Sequence, residues 1–286
     1  KVACKAIKKS KVERARGGSI LKAKRNIGRV NLEVEAMNRL RHEGVCRLYE
    51  VVQSSSYVYC FIEAGERDLF SFLDAHPRGC PQPDVVAIAR IAALALRHCH
   101  QRGIAHRDVK PENVLVHRGT GAVALCDFDL ARAADEERVR CASEARSDDD
   151  RVACDDRGDV ASRDAGGGGV VGTPEYVAPE VARGVVAGAT AQTDWYQLGV
   201  LAFELVFGKT PFASPFGVVG VTLRAIEAND LRFFDALFAA AETRGRRDAT
   251  RTKKSVASVS FLRFARALLE GDPGARLGDE DVRDAD

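Results

Sequence analysis

The chain opens on alternation: from Val2 to Ile7 apolar and polar side chains trade places closely enough to predict a β-strand. The period then lengthens. In NLEVEAMNRLRH, residues 31–42, Leu32, Met37 and Leu40 fall on one face of a helix. CRLYEVV and YVYCFIE are β-rich runs joined by QSSS, which predicts a hairpin. AGERDLFSFLDAH, residues 64–76, turns polar and then helical. DVVAIARIAALALRHCHQRG predicts a long helix with a buried stripe of Ile88, Ile91, Ala92, Ala95 and Cys99, stopped by Gly103. Two short strand runs flank a turn at HRGTGA, residues 117–122. Beyond Val170 three segments read as helices: DWYQLGVLAFELVFG, GVVGVTLRAIEA and SFLRFARALLEG. Strands first and helices later, without βα alternation or an internal repeat, predict an α+β layout in two lobes.

Composition narrows this. A length of 286 residues with 45% hydrophobic content supplies one large core or two lobes sharing one fold. The net charge of +2 gives no global electrostatic signature, and no nucleic-acid partner is expected. Locally the charge is uneven. Ten basic residues and one acid lie between Lys5 and Arg29, where residues 8–29 are expected to be helical in part. Eleven acids and six arginines lie between Ala133 and Gly169, a stretch poor in apolar residues that ends in GGGG and reads as a mobile loop. Residues 243–258 read as a basic, polar connector. The eight cysteines occur singly, with no C-x-x-C pair, so no zinc site is expected, and a reduced, intracellular and cytoplasmic setting is. No apolar run approaches the roughly 18 residues of a membrane span. KVACKAIKK begins already strand-like and without an initiator methionine, so a fragment is expected.

The chemistry is concentrated in two places, HRDVKPENVLV from His106 and CDFDLAR from Cys126. Phosphoryl transfer asks a protein for positioned phosphates, magnesium and a base that orients the attacking hydroxyl. Asp108 is the candidate base, and Lys110 is close enough in sequence to neutralise the moving phosphoryl group. Asn113 offers an amide oxygen to a metal, and Asp127, nineteen residues after Asp108, offers a hard carboxylate.

These motifs resemble those of the eukaryotic serine/threonine protein kinases, and the resemblance runs over nearly the whole chain. It implies a bilobal fold, with a small β-rich N-lobe over residues 1–63, a hinge at 64–67 and a large helical C-lobe over 68–286. It also implies ATP and Mg2+ as cofactors and protein substrates that accept phosphate on Ser or Thr. VACK resembles the third-strand V-A-x-K motif, so Lys5 would hold the α- and β-phosphates. Glu33 matches the helix glutamate that pairs with that lysine, with Glu35 as its rival. FIEAGERDLF resembles the hinge. There Ile62 would be the gatekeeper, backbone groups of Glu63 and Gly65 would meet adenine, Asp68 would sit near the ribose, and Leu115 would complete the nucleotide site. Asn113 and Asp127 would hold the metal. GTPEYVAPE resembles the end of the activation segment, with Thr173 and Lys110 giving the serine/threonine pattern. Glu180 would pair with Arg276, Asp194 would anchor the catalytic loop, and Met37, Leu48, His106 and Phe128 would form an apolar spine. Cys126 would line the nucleotide site as a small buried hydrophobe.

The third letter of DFD departs from the usual glycine. Asp tolerates a left-handed backbone better than most residues, and D-F-D occurs in two kinase groups, the phototropin-like AGC kinases and the MAP-kinase-interacting kinases. The first also carries a long insert in the position of residues 133–169, and the AGC-like DWYQLGVLAFELVFGKTPF and DPGARLG put it ahead. RLRHEGVCRLYEVV resembles the calmodulin-dependent group instead. Two further departures are a Gly-rich phosphate loop not found before Lys5, and Gly169 where the resemblance expects a phosphorylated Ser or Thr; an acid of the insert is then the candidate to meet Arg107. Asp68, Glu112, Glu175 and Glu204 fall where basophilic kinases place acids, which implies Arg two or three residues before the acceptor. A pseudokinase acting as a signalling scaffold is the alternative reading, and GTPEYVAPE disfavours a small-molecule kinase.

Overall fold

Strand β1, Val2–Lys8, pairs antiparallel with β3, Tyr57–Glu63, which pairs antiparallel with β2, Leu48–Gln53, in the order β1-β3-β2. The computed structural model describes residues 1–9, 30–31, 33–117, 122–133, 173–184, 190–245, 257–278 and 281. The basic helix expected within 8–29, Leu32, the tip of the HRGTGA turn, Gly169 with the acidic insert, and most of the 243–258 connector lie outside the described residues. Alternation along β1 leaves Ala3, Lys5 and Ile7 half-buried and their neighbours exposed, so Lys5 lies opposite Cys60 on the inward face. Ser54 closes the hairpin, its N–H donating to the Tyr57 carbonyl at 2.9 Å. Between β1 and β2 lies helix α1, residues 33–39, followed by a loop; Met37 and Leu40 are buried.

After the two-residue strand β4, Arg67–Asp68, Asp68 caps helix α2, Leu69–Asp74, by accepting the Ser71 N–H at 2.7 Å. Helix α3, Gln82–Gln101, buries a wider stripe than expected, with Val85, Ala89, Ala93 and Leu96 joining Ile88, Ala92, Ala95 and Cys99. Ile91 is only half-buried; one of its methyl carbons lies over Gly44, 3.1 Å from where a Cβ would stand. Gly103, at φ +69°, turns the chain out of the helix. Strand β5, Ile104–Ala105, leads to a 3-10 turn at Pro111–Asn113 and to the hairpin of β6, Val114–Val116, and β7, Val123–Leu125; β4 joins β6 on its other side. Strand β8, Arg132–Ala133, returns to β5.

A second 3-10 turn, Pro174–Tyr176, precedes the short helix α4, Pro179–Ala182, and then α5, Ala191–Phe207. Thirteen of the seventeen residues of α5 are buried, so the helix is covered all round, with α3 and α8 (Val259–Leu268) packed on it. Between them run α6, Val219–Ala228, and α7, Phe233–Gly245. The sequence reading missed α7, and residues 243–245, expected to belong to the connector, are its last residues. Phe233 and Phe234 reach Phe203 of α5, with ring centroids 5.7 and 6.0 Å away, and this packing holds a segment whose apolar residues form no stripe. The result is an α+β fold with a small sheet-rich part and a larger helical part. Among the described residues no helix is long and apolar enough to cross a membrane, and no two of the six described cysteines are joined in a disulfide.

Candidate active site

Two side chains of α5 shape the loop after β5. Asp194 is fully buried; its Oδ2 accepts the His106 N–H at 2.8 Å and its Oδ1 the Arg107 N–H at 2.6 Å. His100 Nε2 lies 2.8 Å from the same Oδ2. Gln197, three residues on, accepts the Val109 N–H at 2.9 Å and donates to the Arg107 carbonyl at 3.2 Å. Backbone groups that no ladder uses are thereby satisfied, and Arg107 is held at φ +74°.

On this support stands Asp108, buried at 6% exposure. Its Oδ2 lies 2.8 Å from Lys110 Nζ and accepts Asn113 Nδ2 at 2.9 Å, and the same amide also donates to the Asp108 carbonyl at 2.8 Å. Asp108 Oδ1 is buried and has no hydrogen-bond partner among the described residues. His106 ties this loop to the segment after β7: Asp108 N–H donates to its Nδ1 at 3.3 Å, which assigns the ring proton to Nε2, 3.0 Å from the Cys126 carbonyl. The His106 and Phe128 rings, both fully buried, lie 4.6 Å apart. Met37 and Leu48, the other two spine residues, belong to the same buried core.

Lys5 joins three distant segments. Its Nζ donates to Glu33 Oε1 at 2.6 Å and to Asp127 Oδ1 at 2.7 Å. Burial works against its charge, but the two carboxylates outweigh that and its pKa is raised. Burial raises the pKa of Glu33, against the opposing pull of Lys5. The rival Glu35 is exposed. Asp127 is at φ +61°, whereas Asp129 is not among the described residues at positive φ, so the position that departs from glycine needs no left-handed backbone here. Burial pushes the Cys126 thiol up to about 12, which makes it a poor nucleophile.

In the segment expected to be the hinge, the Glu63 N–H is taken by the Arg47 carbonyl at 2.8 Å, and the Glu63 carbonyl accepts from a weak thiol donor, Cys46 Sγ, at 3.5 Å. The Gly65 N–H makes no hydrogen bond among the described residues. A Cβ on Gly65 would stand 2.8 Å from that of Leu115, so only glycine lets the hinge lie against β6. Ile62 is half-buried on β3, and Asp68 spends one carboxylate oxygen on its helix cap. A cavity of about 480 Å³ lined by Lys1, Gly65, Glu66, Arg67 and Val116 opens beside this hinge.

On the other side of the loop, the Thr173 side chain makes no hydrogen bond among the described residues, and Lys110 Nζ is 2.8 Å from Asp108 Oδ2. Glu180 and Arg276, each 4% exposed, form two parallel bonds of 2.8 Å. Arg276 also donates to the carbonyls of Gln192 at 2.7 Å and Glu270 at 2.9 Å. Tyr176 donates its hydroxyl to Glu204, and Thr210 donates to Glu175 at 2.7 Å. Burial raises the pKa of Glu204, and Glu175 and Glu112 push it the same way.

A family model described as protein kinase domain matches residues 1–285. The chain belongs to the protein kinase family. Similar proteins include serine/threonine-protein kinase nrc-2 of Neurospora crassa, 34% identical over 66% of this chain and 30% of that protein. Phototropin-1A of Oryza sativa is 33% identical over 91% of this chain and 26% of that protein. Protein kinase PINOID of Oryza sativa is 32% identical over 89% of this chain and 54% of that protein. The chain spans between 21% and 35% of the first three curated relatives it matches.

Within this kinase domain the sequence reading did not find Gln197 or His100. Gln197 carried a signal: it lies three residues after Asp194, on the same helix face. His100 sits at the end of α3, where nothing in the local pattern separates it from a helix-terminal cation.

Proposed function

We propose that this domain transfers the γ-phosphate of ATP to Ser and Thr hydroxyls of protein substrates inside the cell. The observation that carries the reading is Lys5, held between Glu33 and Asp127 at 2.6 and 2.7 Å. In this reading Lys5 binds the α- and β-phosphates and Glu33 keeps it in place. The Glu63 carbonyl and Gly65 N–H meet the adenine edge, beside Ile62 and Leu115, with Asp68 near the ribose. The residues present suit magnesium. Asp127 is 41% exposed at its side chain, and the Asn113 amide turns its nitrogen to Asp108, which leaves its oxygen uncommitted. Two hard oxygens are what magnesium takes from a protein when phosphates and water complete its shell. The ion would neutralise phosphate charge. Asp127 would give up its bond with Lys5 to hold the ion, which would leave Lys5 to the phosphates. Asp108 Oδ1, buried and without a donor among the described residues, accepts the hydroxyl proton, while Lys110, 2.8 Å from Oδ2, faces the transferred group.

The same reading makes the domain basophilic. Glu112, Glu175 and Glu204 gather around Tyr176 and offer acceptors to a substrate arginine, two or three residues before the acceptor, and Asp68 adds a fourth acid.

The test is Asp108→Asn in the full-length protein. An amide cannot take the proton, so transfer to a generic Ser/Thr peptide is expected to fall by about 10²–10⁴-fold. Binding of a fluorescent ATP analogue should be unchanged. Equal rates for the two proteins would overturn the reading in favour of a non-catalytic scaffold.

A further inference from the structure

Helix α1 and the last turns of α3 meet in a cluster of cations. Arg39 donates to the Arg102 carbonyl at 2.9 Å, and Arg102 donates to the His98 carbonyl at 3.3 Å. Arg41 donates through its side chain to the carbonyls of Met37 and Leu40, at 3.0 and 2.9 Å, and through its backbone N–H to His98 Nε2 at 3.3 Å. The His42 and His98 rings lie 5.0 Å apart. Three exposed guanidiniums and two imidazoles, from segments far apart in sequence, therefore share one small surface.

Among the described residues, every hydrogen bond of these guanidiniums goes to a backbone carbonyl. None of the three arginines has a carboxylate partner among the described residues, whereas Arg276, Arg232 and Arg266 each have one. The carbonyls fix the guanidiniums in place and leave most of their five N–H donors apiece unused. Burial first, then the neighbouring Arg102 and His42, push the His98 pKa down to about 4.

We propose that this junction binds a phosphorylated peptide segment of a partner protein, with Arg39, Arg41 and Arg102 donating to one phosphomonoester. A phosphomonoester brings about −1.5 to −2 charges and three acceptor oxygens, which matches three guanidinium forks; a single carboxylate would leave most donors unpaired. The patch is a point, not a stripe, and exposed Glu35 and Glu43 flank it in sequence. That favours one anionic group on a peptide over an extended polyanion or an anionic bilayer. Nothing in the proposal depends on catalysis.

The experiment titrates the full chain into a fluorescent peptide carrying one phosphoserine between neutral residues, and into its unphosphorylated twin. The phosphopeptide is expected to bind about tenfold or more tightly than the twin. Replacing Arg39, Arg41 and Arg102 together by Gln is expected to remove that preference, and Lys replacements to restore only part of it, since an ammonium cannot bind bidentately. In the wild type the His98 ring protons should shift in NMR as phosphopeptide is added, a readout that does not need the variant to fold. Equal binding of the two peptides would overturn the proposal. So would a folded Gln variant that keeps the preference, an unmoved His98, or binding to phosphatidylserine vesicles in place of the phosphopeptide.

Discussion

Glu33 and Glu35 are two residues apart on one helix, about 200° of rotation, so they cannot serve the same face. Glu33 lies four residues before Met37 and seven before Leu40, on the stripe that is buried, and it meets Lys5 at 2.6 Å. That geometry was present in the sequence as helical spacing, although both acids were candidates there. Glu33→Gln removes the charge that best offsets the burial of Lys5. A lysine shifted by about 1 Å can cost 10²-fold in rate, so kcat/KM for peptide phosphorylation is expected to fall by about that factor. Glu35→Gln, at an exposed site, should change it within about twofold. Steady-state kinetics of the two variants check this, and the reverse order would assign the lysine's partner to Glu35. Asp129 illustrates the opposite case. Its tolerance of left-handed φ was a sound argument from residue type, yet the strained positions are Arg107 and Asp127 on either side of the His106 bridge, which only tertiary hydrogen bonds reveal.

At the scale of elements, α5 was legible because seventeen residues of mostly apolar sequence end at Gly208, whose φ of +70° suits the helix cap. Being buried all round, that helix has no polar stripe to mark function, so Gln197 could be found only from its spacing to Asp194, which a familiar motif marks. Helix α7 lacks a stripe as well, and β5 and β8, at two residues each, are too short to show a period. The Glu180–Arg276 pair shows what ties elements together: it holds α4 to the segment after α8, and each guanidinium nitrogen in it has a carboxylate oxygen 2.8 Å away. Glu180→Gln leaves Arg276 a buried charge without its counter-ion, which costs about 3–5 kcal/mol. Thermal unfolding should show a large fall in midpoint, and replacing both partners by Met and Leu should recover part of it. A midpoint unmoved by Glu180→Gln would mean that the Gln192 and Glu270 carbonyls already satisfy Arg276.

Over the whole molecule, the acids on the proposed peptide face come from three separate segments: Glu112 from the first 3-10 turn, Glu175 from the second, and Glu204 from α5. Sequence could place each only by resemblance, because nothing local brings them together. In the structure all three surround Tyr176, and under the proposed basophilic reading the substrate preference is expected to depend on pH. Burial raises the pKa of Glu204, and the neighbouring Glu175 and Glu112 add to the rise, so its carboxylate forms only above the ordinary value of 4.5. An arginine in the substrate pairs with the ionised form. As pH falls through the raised pKa, Glu204 takes up a proton, the ion pair is lost and KM for the Arg-bearing peptide rises. The KM of a peptide with Ala in place of that Arg should change little over the same range. Glu204→Gln should raise KM for the Arg peptide by about tenfold near neutral pH, the loss of one charge-assisted bond, and flatten its acid-side dependence. The measurement is KM against pH for both peptides on both proteins. A preference for acidic peptides, or an Arg-peptide KM indifferent to Glu204, would remove this face from substrate selection and return its acids to the internal hydrogen bonds with Tyr176 and Thr210.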